Sequence, residues 1–250
     1  MKVSIITVSF NSAATIAETL KSVSMQNHPD IEHIVIDGGS DDDTRALVKQ
    51  HGSHVAALVS EPDRGIYDAM NKGIRLATGN AIGFLNADDV YQDHNVISLV
   101  ARIMESGELD AVFGDAVFFR PEAPEKEIRR YSSKRFSPER IAWGWMPAHP
   151  TLFVRREVFA RVGPFSSDYR IAGDFEFVAR AFRQPLRYQY IPQVLVRMRT
   201  GGISTSGWKS TLLLNREVLR ACRENGIRTS WFRILSKYPA KLLEFFRPGS

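Results

Sequence analysis

A chain of 250 residues, 44% hydrophobic and 24% charged, can bury one sizeable α/β core or a domain with a modest appendage. That composition excludes disorder as the dominant state. Its single cysteine, Cys222, excludes an internal disulfide framework and a cysteine-based zinc site, and fits a reducing compartment. The net charge of +5 is unevenly placed: residues 201–250 carry nine Lys/Arg against three Asp/Glu, leaving 24 basic and 25 acidic groups in residues 1–200. This argues against a nucleic-acid-binding body and for a basic C-terminal surface.

The apolar stretch between Lys2 and Asn11 is too short for a secretory leader, and nothing reaches the ~18 uninterrupted apolar residues of a membrane span. A cytoplasmic protein is expected. Val3–Ser9 is a β-branched run of strand length, ended by Asn11-Ser12. Thr15 and Glu18 have capping-box spacing and open a helix with Ile16, Leu20 and Val23 on one face. Ile34–Ile36 is the next strand, stopped by Asp37-Gly-Gly-Ser40; Ser40 and Asp43 again have capping-box spacing before a helix through Gln50. Val55–Ser60 reads as a strand, Ile66–Ala77 as a helix and Ala81–Leu85 as a strand. Short apolar strands alternating with helices predict a largely parallel sheet with crossovers.

Regularity fades after Phe119. Residues 120–135, rich in charge with Pro121 and Pro124, read as a mobile loop. A strand at Thr151–Val154, helices at Arg156–Arg161 and Asp174–Phe182, and two short strands around Pro192 follow. Trp208–Asn225 reads as a long helix and Trp231–Phe246 as another, interrupted near Pro239.

Ligands of an open parallel sheet bind beyond the carboxyl ends of its strands. Those ends carry Ser9-Phe10-Asn11, Asp37-Gly38-Gly39-Ser40, Glu61-Pro-Asp-Arg-Gly65 and Asn86-Ala87-Asp88-Asp89. Adjacent carboxylates at a buried strand's exit repel each other unless a cation compensates. Asp88-Asp89 therefore suits Mg²⁺ or Mn²⁺ bridging to phosphate oxygens, or else a capped helix start. Asp174, after Ala172-Gly173, is a second candidate carboxylate or a helix N-cap. Arg180 lies roughly 240° around that helix from Asp174, off its face. His149 is a candidate substrate contact or a structural histidine. No G-x-G-x-x-G follows a strand and no P-loop exists, which disfavours nicotinamide and P-loop chemistry.

Val3–Asn11, Ile36-Asp-Gly-Gly-Ser40, Phe84-Leu-Asn-Ala-Asp-Asp89 and Gly173-Asp174 together resemble family 2 glycosyltransferases of the GT-A fold. Ser60–Gly73 is similar to enzymes that build bacterial exopolysaccharides and related glycolipids, including the colanic acid transferase group. The resemblance implies a GT-A domain over residues 1–205, with a nucleotide-sugar half (1–115), an acceptor half (116–205) and a helical extension (206–250). It places Val8, Ser9, Phe10 and Asp37 against the nucleotide and Arg64 on the donor side. It gives Asp88 to the ribose or metal, Asp89 to the divalent metal and Asp174 to the general base; His149 and Arg180, read from the residues themselves, stand as acceptor-side candidates. It implies an inverting hexosyl transfer from a nucleotide-diphosphate sugar to a glycan or lipid-linked acceptor. Gly38 departs from the commoner pattern, where a second Asp contacts the base, so UDP and GDP both stay open.

Two rivals remain at this level: a non-catalytic sugar-nucleotide or glycan-binding domain, and a sugar nucleotidyltransferase. The latter lacks its Gly-rich basic signature at Phe10–Ala13. Residues 228–247 interleave aromatic and basic residues, which suits either an interfacial helix on the anionic cytoplasmic face of the inner membrane or a packed helix with a solvated basic face.

Overall fold

The computed structural model describes residues 1–201 and 207–236. The chain opens with β1 (Val3–Ser9), α1 (Ile16–Ser24), β2 (Ile31–Asp37), α2 (Thr44–His51), β3 (Val55–Ser60), α3 (Ile66–Leu76) and β4 (Ala81–Phe84). β1 pairs in parallel with β2 on one side and β4 on the other, and β3 extends the sheet beyond β2. Every residue of β1 is buried, as its β-branched run requires of a strand covered on both faces. α1 buries Ile16, Leu20 and Val23 on the stripe that the spacing foretells.

The two expected capping boxes do not form, since neither N-cap side chain bonds its own helix. The Thr15 hydroxyl turns back to the Ser12 carbonyl, and the Ser40 hydroxyl donates to the Asp37 carboxylate. A charged acceptor forms the stronger bond, so Ser40 serves the strand end rather than the helix.

The second half comprises β5 (Asp89–Tyr91), α4 (Val96–Ser106), β6 (Ala111–Arg120), β7 (Ala123–Tyr131), β8 (Phe153–Arg155), α5 (Arg156–Val162), α6 (Gly173–Ala181), β9 (Tyr188–Arg199), α7 (Gly207–Glu224) and α8 (Trp231–Leu235). The strand order is β3-β2-β1-β4-β8-β6-β9-β5, with β7 on the side of β6. The ladder turns antiparallel where β8 enters between β4 and β6, and β6 and β9 are parallel. One sheet thus runs through both halves, and β6 crosses the 115/116 boundary between them.

Three expectations change. Residues 120–135 are not a loop: β7 forms a hairpin with β6, fastened by Arg130 and the Ser133 amide on the buried Asp115 carboxylate. Its charges sit on an exposed edge strand, which hides the alternation of a half-buried one and tolerates Pro124. Pro192 does not split its segment. β9 runs through it, and the register shift opposite Phe113–Asp115 absorbs the missing amide. The strand expected from Thr151 begins at Phe153, after a 3₁₀ turn at His149–Thr151. The helix expected over Trp231–Phe246 is described as α8 to Leu235; residues from 237 onward lie outside the described residues.

Phe84, Phe159, Phe165 and Phe177 pack against one another edge to face, tilted or stacked in the core. Val218, Leu219, Ala221 and Cys222 of α7 are buried in the same core. The basic C-terminal stretch therefore begins with a helix that is part of the domain.

Candidate functional site

Asp37 ends β2 beside Ser9 at the end of β1, with their backbones in register. Its carboxylate is fully buried and accepts from the Ser40 amide (3.1 Å), the Ser40 hydroxyl and the Ser60 hydroxyl (2.7 Å), with Ser9 Oγ at 3.4 Å. Burial pushes its pKa up, but these bonds outweigh burial and hold the carboxyl below its ordinary value. Asp37 is an ionised anchor that ties three strand ends together. Val8 is buried, while Phe10 is 61% exposed and offers its ring to solvent at this edge.

The place left by Gly38 is filled. A β-carbon there would collide with the Asp63 carboxylate and lie 3.5 Å from the Phe10 ring. Asp63 Oδ1 accepts from the Gly65 amide at 2.9 Å. A carboxylate thus stands next to Phe10 although position 38 carries none. Sequence reasoning passed over Asp63 because it arrives from the β3–α3 loop. Arg64 is 84% exposed, its guanidinium 3.8 Å from Asp68, and lines a cleft of about 330 Å³ between the start of α3 and residues 167–170.

Asp88 and Asp89 follow β4. The Leu85 amide bonds the Ile6 carbonyl at 3.0 Å, which sets this exit beside the end of β1. Asp89 is buried and Asp88 partly so. Burial first, then the neighbouring Asp88 charge, pushes the Asp89 carboxyl well above its usual value; burial also raises Asp88. The opposing influences are weaker: the Asn86 amide on Asp89 Oδ2 at 3.2 Å, the Arg199 backbone amide and the Arg199 charge. Arg199 reaches the pair because β5 pairs with β9, Asp89 opposite Met198. Nothing in the local sequence forecasts that meeting. Asn86 Oδ1 and Arg199 Nε are buried without a hydrogen-bond partner.

Two carboxylates beside an unpartnered amide oxygen form an oxygen-rich set that suits a hard divalent cation. Among the described residues no cluster of three or more His, Cys, Asp or Glu completes a cage. Remaining ligands would be phosphate oxygens and water. The alternative of a helix cap at Asp88-Asp89 fails, because α4 begins after Asn95, with Asp93 bonding the Asn95 amide.

Asp174 is the second residue of α6, and Ala172, not Asp174, is the N-cap. Its Oδ1 accepts from the Phe175 amide (2.8 Å) and the Tyr67 hydroxyl (3.3 Å), while its Oδ2 has no hydrogen-bond donor among the described residues. The single Tyr67 hydroxyl proton is shared between Asp174 and the Ile171 carbonyl, which is the nearer acceptor at 2.5 Å, and burial raises the hydroxyl's pKa. Gly173 makes this possible, since a β-carbon there would stand 2.7–2.8 Å from the Tyr67 ring. Tyr67 thus joins the site through α3, a role its position in Ile66–Asp68 does not reveal.

His149 is partly buried, stacks on Phe84 (5.5 Å between centroids) and lies edge-on to Phe165 (5.9 Å). Burial lowers its pKa and the Asp174 charge raises it, so it is a neutral imidazole within electrostatic reach of Asp174. Arg180 joins neither. Its guanidinium is committed to Glu176 and to the carbonyls of Val162, Gly163 and Pro164, where it braces α6 against α5.

The fold matches solved GT-A glycosyltransferases. Staphylococcus aureus TarS 1–349 in complex with UDP-GlcNAc superposes with a TM-score of 0.72 at 17% identity, over 98% of this chain and 73% of that one. A longer TarS structure is spanned over 44% of its length. The mannosyltransferase PcManGT from Pyrobaculum calidifontis, in complex with GDP-Man and Mn²⁺, gives 0.63 at 20% identity, over 88% and 64%. The chain belongs to glycosyl transferase family 2, whose model matches residues 4–163. The PGL/p-HBAD biosynthesis glycosyltransferase of Mycobacterium tuberculosis is 31% identical over 195 residues, 75% of this chain and 73% of that protein. An uncharacterized glycosyltransferase of the same species is 34% identical over 186 residues, 72% and 68%. The protein is a glycosyltransferase.

The raised Asp89 pKa carries a stability signature. A carboxyl whose folded pKa exceeds its unfolded value stabilises the fold fully below the unfolded pKa of about 3.9, and that contribution is lost as pH rises through the folded pKa. Asp89→Asn removes the buried charge. With chelator present, the variant should melt above the wild type at pH 7, and the gap should close toward pH 4. Equal or lower melting of Asp89→Asn at pH 7 contradicts the electrostatic account.

Proposed function

We propose that the chain transfers a hexose from a nucleoside-diphosphate sugar to a glycan or lipid-linked hydroxyl by single displacement, with inversion at the anomeric carbon. The observation that carries this reading is the buried Asp88-Asp89 pair, under-neutralised and flanked by unpartnered polar atoms, on the edge that holds Phe10, Asp63 and Asp37. The UDP-GlcNAc, and the GDP-Man with Mn²⁺, bound by structural neighbours support a nucleotide-sugar donor and a divalent ion. Val8, Ser9 and Phe10 take the nucleotide, and Asp37 holds their strand ends in place. Asp63 and Phe10 meet the base, and Arg64 lies on the donor side. Asp89 would hold a divalent ion, with Asp88 toward the ribose, and that ion would supply charge neutralisation for the departing diphosphate.

The acceptor oxygen forms a bond to the anomeric carbon while the bond from that carbon to the phosphate oxygen breaks. The acceptor proton passes to the Asp174 carboxylate, which Tyr67 orients. The electron pair leaves with the nucleoside diphosphate. His149, neutral and packed between Phe84 and Phe165, backs the acceptor side. Residues 1–115 form the donor half and 116–205 the acceptor half of one domain. The similarity of Ser60–Gly73 to exopolysaccharide and glycolipid enzymes supports a role in bacterial surface polysaccharide or glycolipid assembly.

Asp174→Asn tests the base and separates catalysis from mere binding. Release of UDP or GDP from UDP-GlcNAc or GDP-mannose is followed with Mn²⁺ and a bacterial lipid extract as acceptor pool. The variant should lose about a hundredfold or more in turnover, the scale of general-base catalysis, while donor affinity stays near that of the wild type. Wild-type turnover in Asp174→Asn sinks the assignment.

A membrane-facing role for the C-terminal segment rests on a specific surface. Phe232 is 79% exposed beside the exposed Trp231 and Leu235, and Trp143 lies under the Arg233 guanidinium at 5.4 Å. Apolar rings beside the Arg233 guanidinium suit the interface of an anionic leaflet, the cytoplasmic face of the inner membrane in this reading. The remainder of 228–247 lies outside the described residues, and no described helix is long and apolar enough to cross a membrane. The protein should float with phosphatidylglycerol-containing vesicles and stay down with phosphatidylcholine alone. Failure to float with either contradicts the reading.

A further inference from the structure

The loop that delivers Asp174 is held from the far end of the chain. Three consecutive amides, those of Arg170, Ile171 and Ala172, donate to the single carboxylate of Glu217 on α7. The distances are 2.9, 2.9 and 2.8 Å, and the Glu217 side chain is nearly buried. The other side of the Ile171 peptide is taken as well, its carbonyl accepting from the Tyr67 hydroxyl at 2.5 Å. The peptide unit that joins Ile171 to Ala172 is therefore fixed by α7 through the Ala172 N–H and by α3 through the Ile171 C=O. Ala172 closes the first turn of α6, its carbonyl accepting from Glu176 at 2.9 Å. Asp174 follows two residues after Ala172 within that same first turn.

The carboxylate is suited to this task. Charge-assisted bonds are roughly twice as strong as neutral ones, and an anion at the start of α6 also complements the helix dipole. No cation pairs with Glu217 among the ion pairs of the described residues, so the three amides are its partners. Neighbouring contacts on α7 grip the same loop differently. Glu224 accepts from the Tyr169 hydroxyl at 2.5 Å, and Arg220 lies 4.5 Å over the Tyr169 ring. Those contacts dock α7 but do not touch the peptides leading into Asp174. The family model ends at residue 163, before both Asp174 and Glu217.

We infer that Glu217 is a positioning residue for sugar transfer: its carboxylate sets the backbone that aims Asp174 at the acceptor hydroxyl. The inference rests on Asp174 being the base. It makes α7 a part of the transfer machinery rather than an appendage.

The test compares Glu217→Gln with Glu224→Gln and Asp174→Asn in the full chain, using UDP or GDP release from UDP-GlcNAc or GDP-mannose with Mn²⁺ and the same lipid extract. Glutamine keeps the size but presents an amide N–H toward one of the three donors. A base displaced by about 1 Å loses on the order of a hundredfold in kcat, and the donor KM should hold within about twofold. Glu224→Gln should retain kcat within about twofold while lowering the melting temperature, because its bonds dock the helix only. Hydrogen exchange at amides 170–172 should quicken in Glu217→Gln alone. Wild-type kcat in a folded Glu217→Gln, or an equal kcat loss in Glu224→Gln, overturns the inference. If Glu217→Gln is not recovered folded, Glu217→Asp carries the same test, because its carboxylate is drawn back by one methylene and wild-type kcat there is equally contrary. An active Asp174→Asn refutes the base reading and this inference with it, whereas an inactive Asp174→Asn beside a fully active Glu217→Gln refutes the clamp alone.

Discussion

Two carboxylates on adjacent residues, one buried and the other partly so, repel each other at the exit of β4, and the rest of the site is arranged around that repulsion. Desolvation and mutual charge both disfavour ionisation, and the Arg199 charge and Asn86 amide offset them only in part. The geometry nevertheless enforces the pair. Leu85 is bonded to β1, Thr19 of α1 donates to the Asp89 carbonyl at 2.8 Å, and β5 locks Asp89 against β9. A fold that holds like charges together at an oxygen-lined sheet edge is pre-organised for a cation and the anion that accompanies it.

The carboxylates of the site have different environments and hence different duties. Asp37 is kept ionised by serine and backbone donors and acts as a strand-end anchor. Asp89 is held at a raised pKa that only an incoming positive charge relieves. Asp174 rests on one hydroxyl and one amide, with an oxygen left over. The continuous sheet aligns these groups: β1, β2 and β4 present the polar ends that carry Ser9, Asp37 and Asp88-Asp89, and β8, β6 and β9 carry the aromatic core on which α6 lies. α3 and α7 meet on the loop before Asp174, which Tyr67 and Glu217 both hold.

The N-terminal half was legible because its strands are local and apolar, with β1, β2 and β4 buried and β3 the half-exposed edge, so composition alone marks them. The polar tetrads at their ends followed from where a parallel sheet binds ligands. What escaped was non-local or masked by charge. β7 is an edge strand with solvent-facing charges, and the bulge that carries β9 through Pro192 has no sequence signature. Arg199, Tyr67, Asp63 and Glu217 reach the site across long sequence separations, and no local pattern marks them. Ser40 illustrates the opposite error, a capping-box spacing that lost to a nearby carboxylate. Arg180 looked free to meet an acceptor until its guanidinium was seen bracing three carbonyls.

The account turns on whether Asp89 captures a nucleotide sugar through a divalent ion. Calorimetric titration of UDP-GlcNAc and GDP-mannose into the protein, with Mn²⁺ and with chelator, reads this directly. The account predicts saturable heat for at least one donor with Mn²⁺, none with chelator, and none in Asp89→Ala under either condition. Donor binding of equal affinity in chelator, or undiminished in Asp89→Ala with Mn²⁺ present, would contradict it.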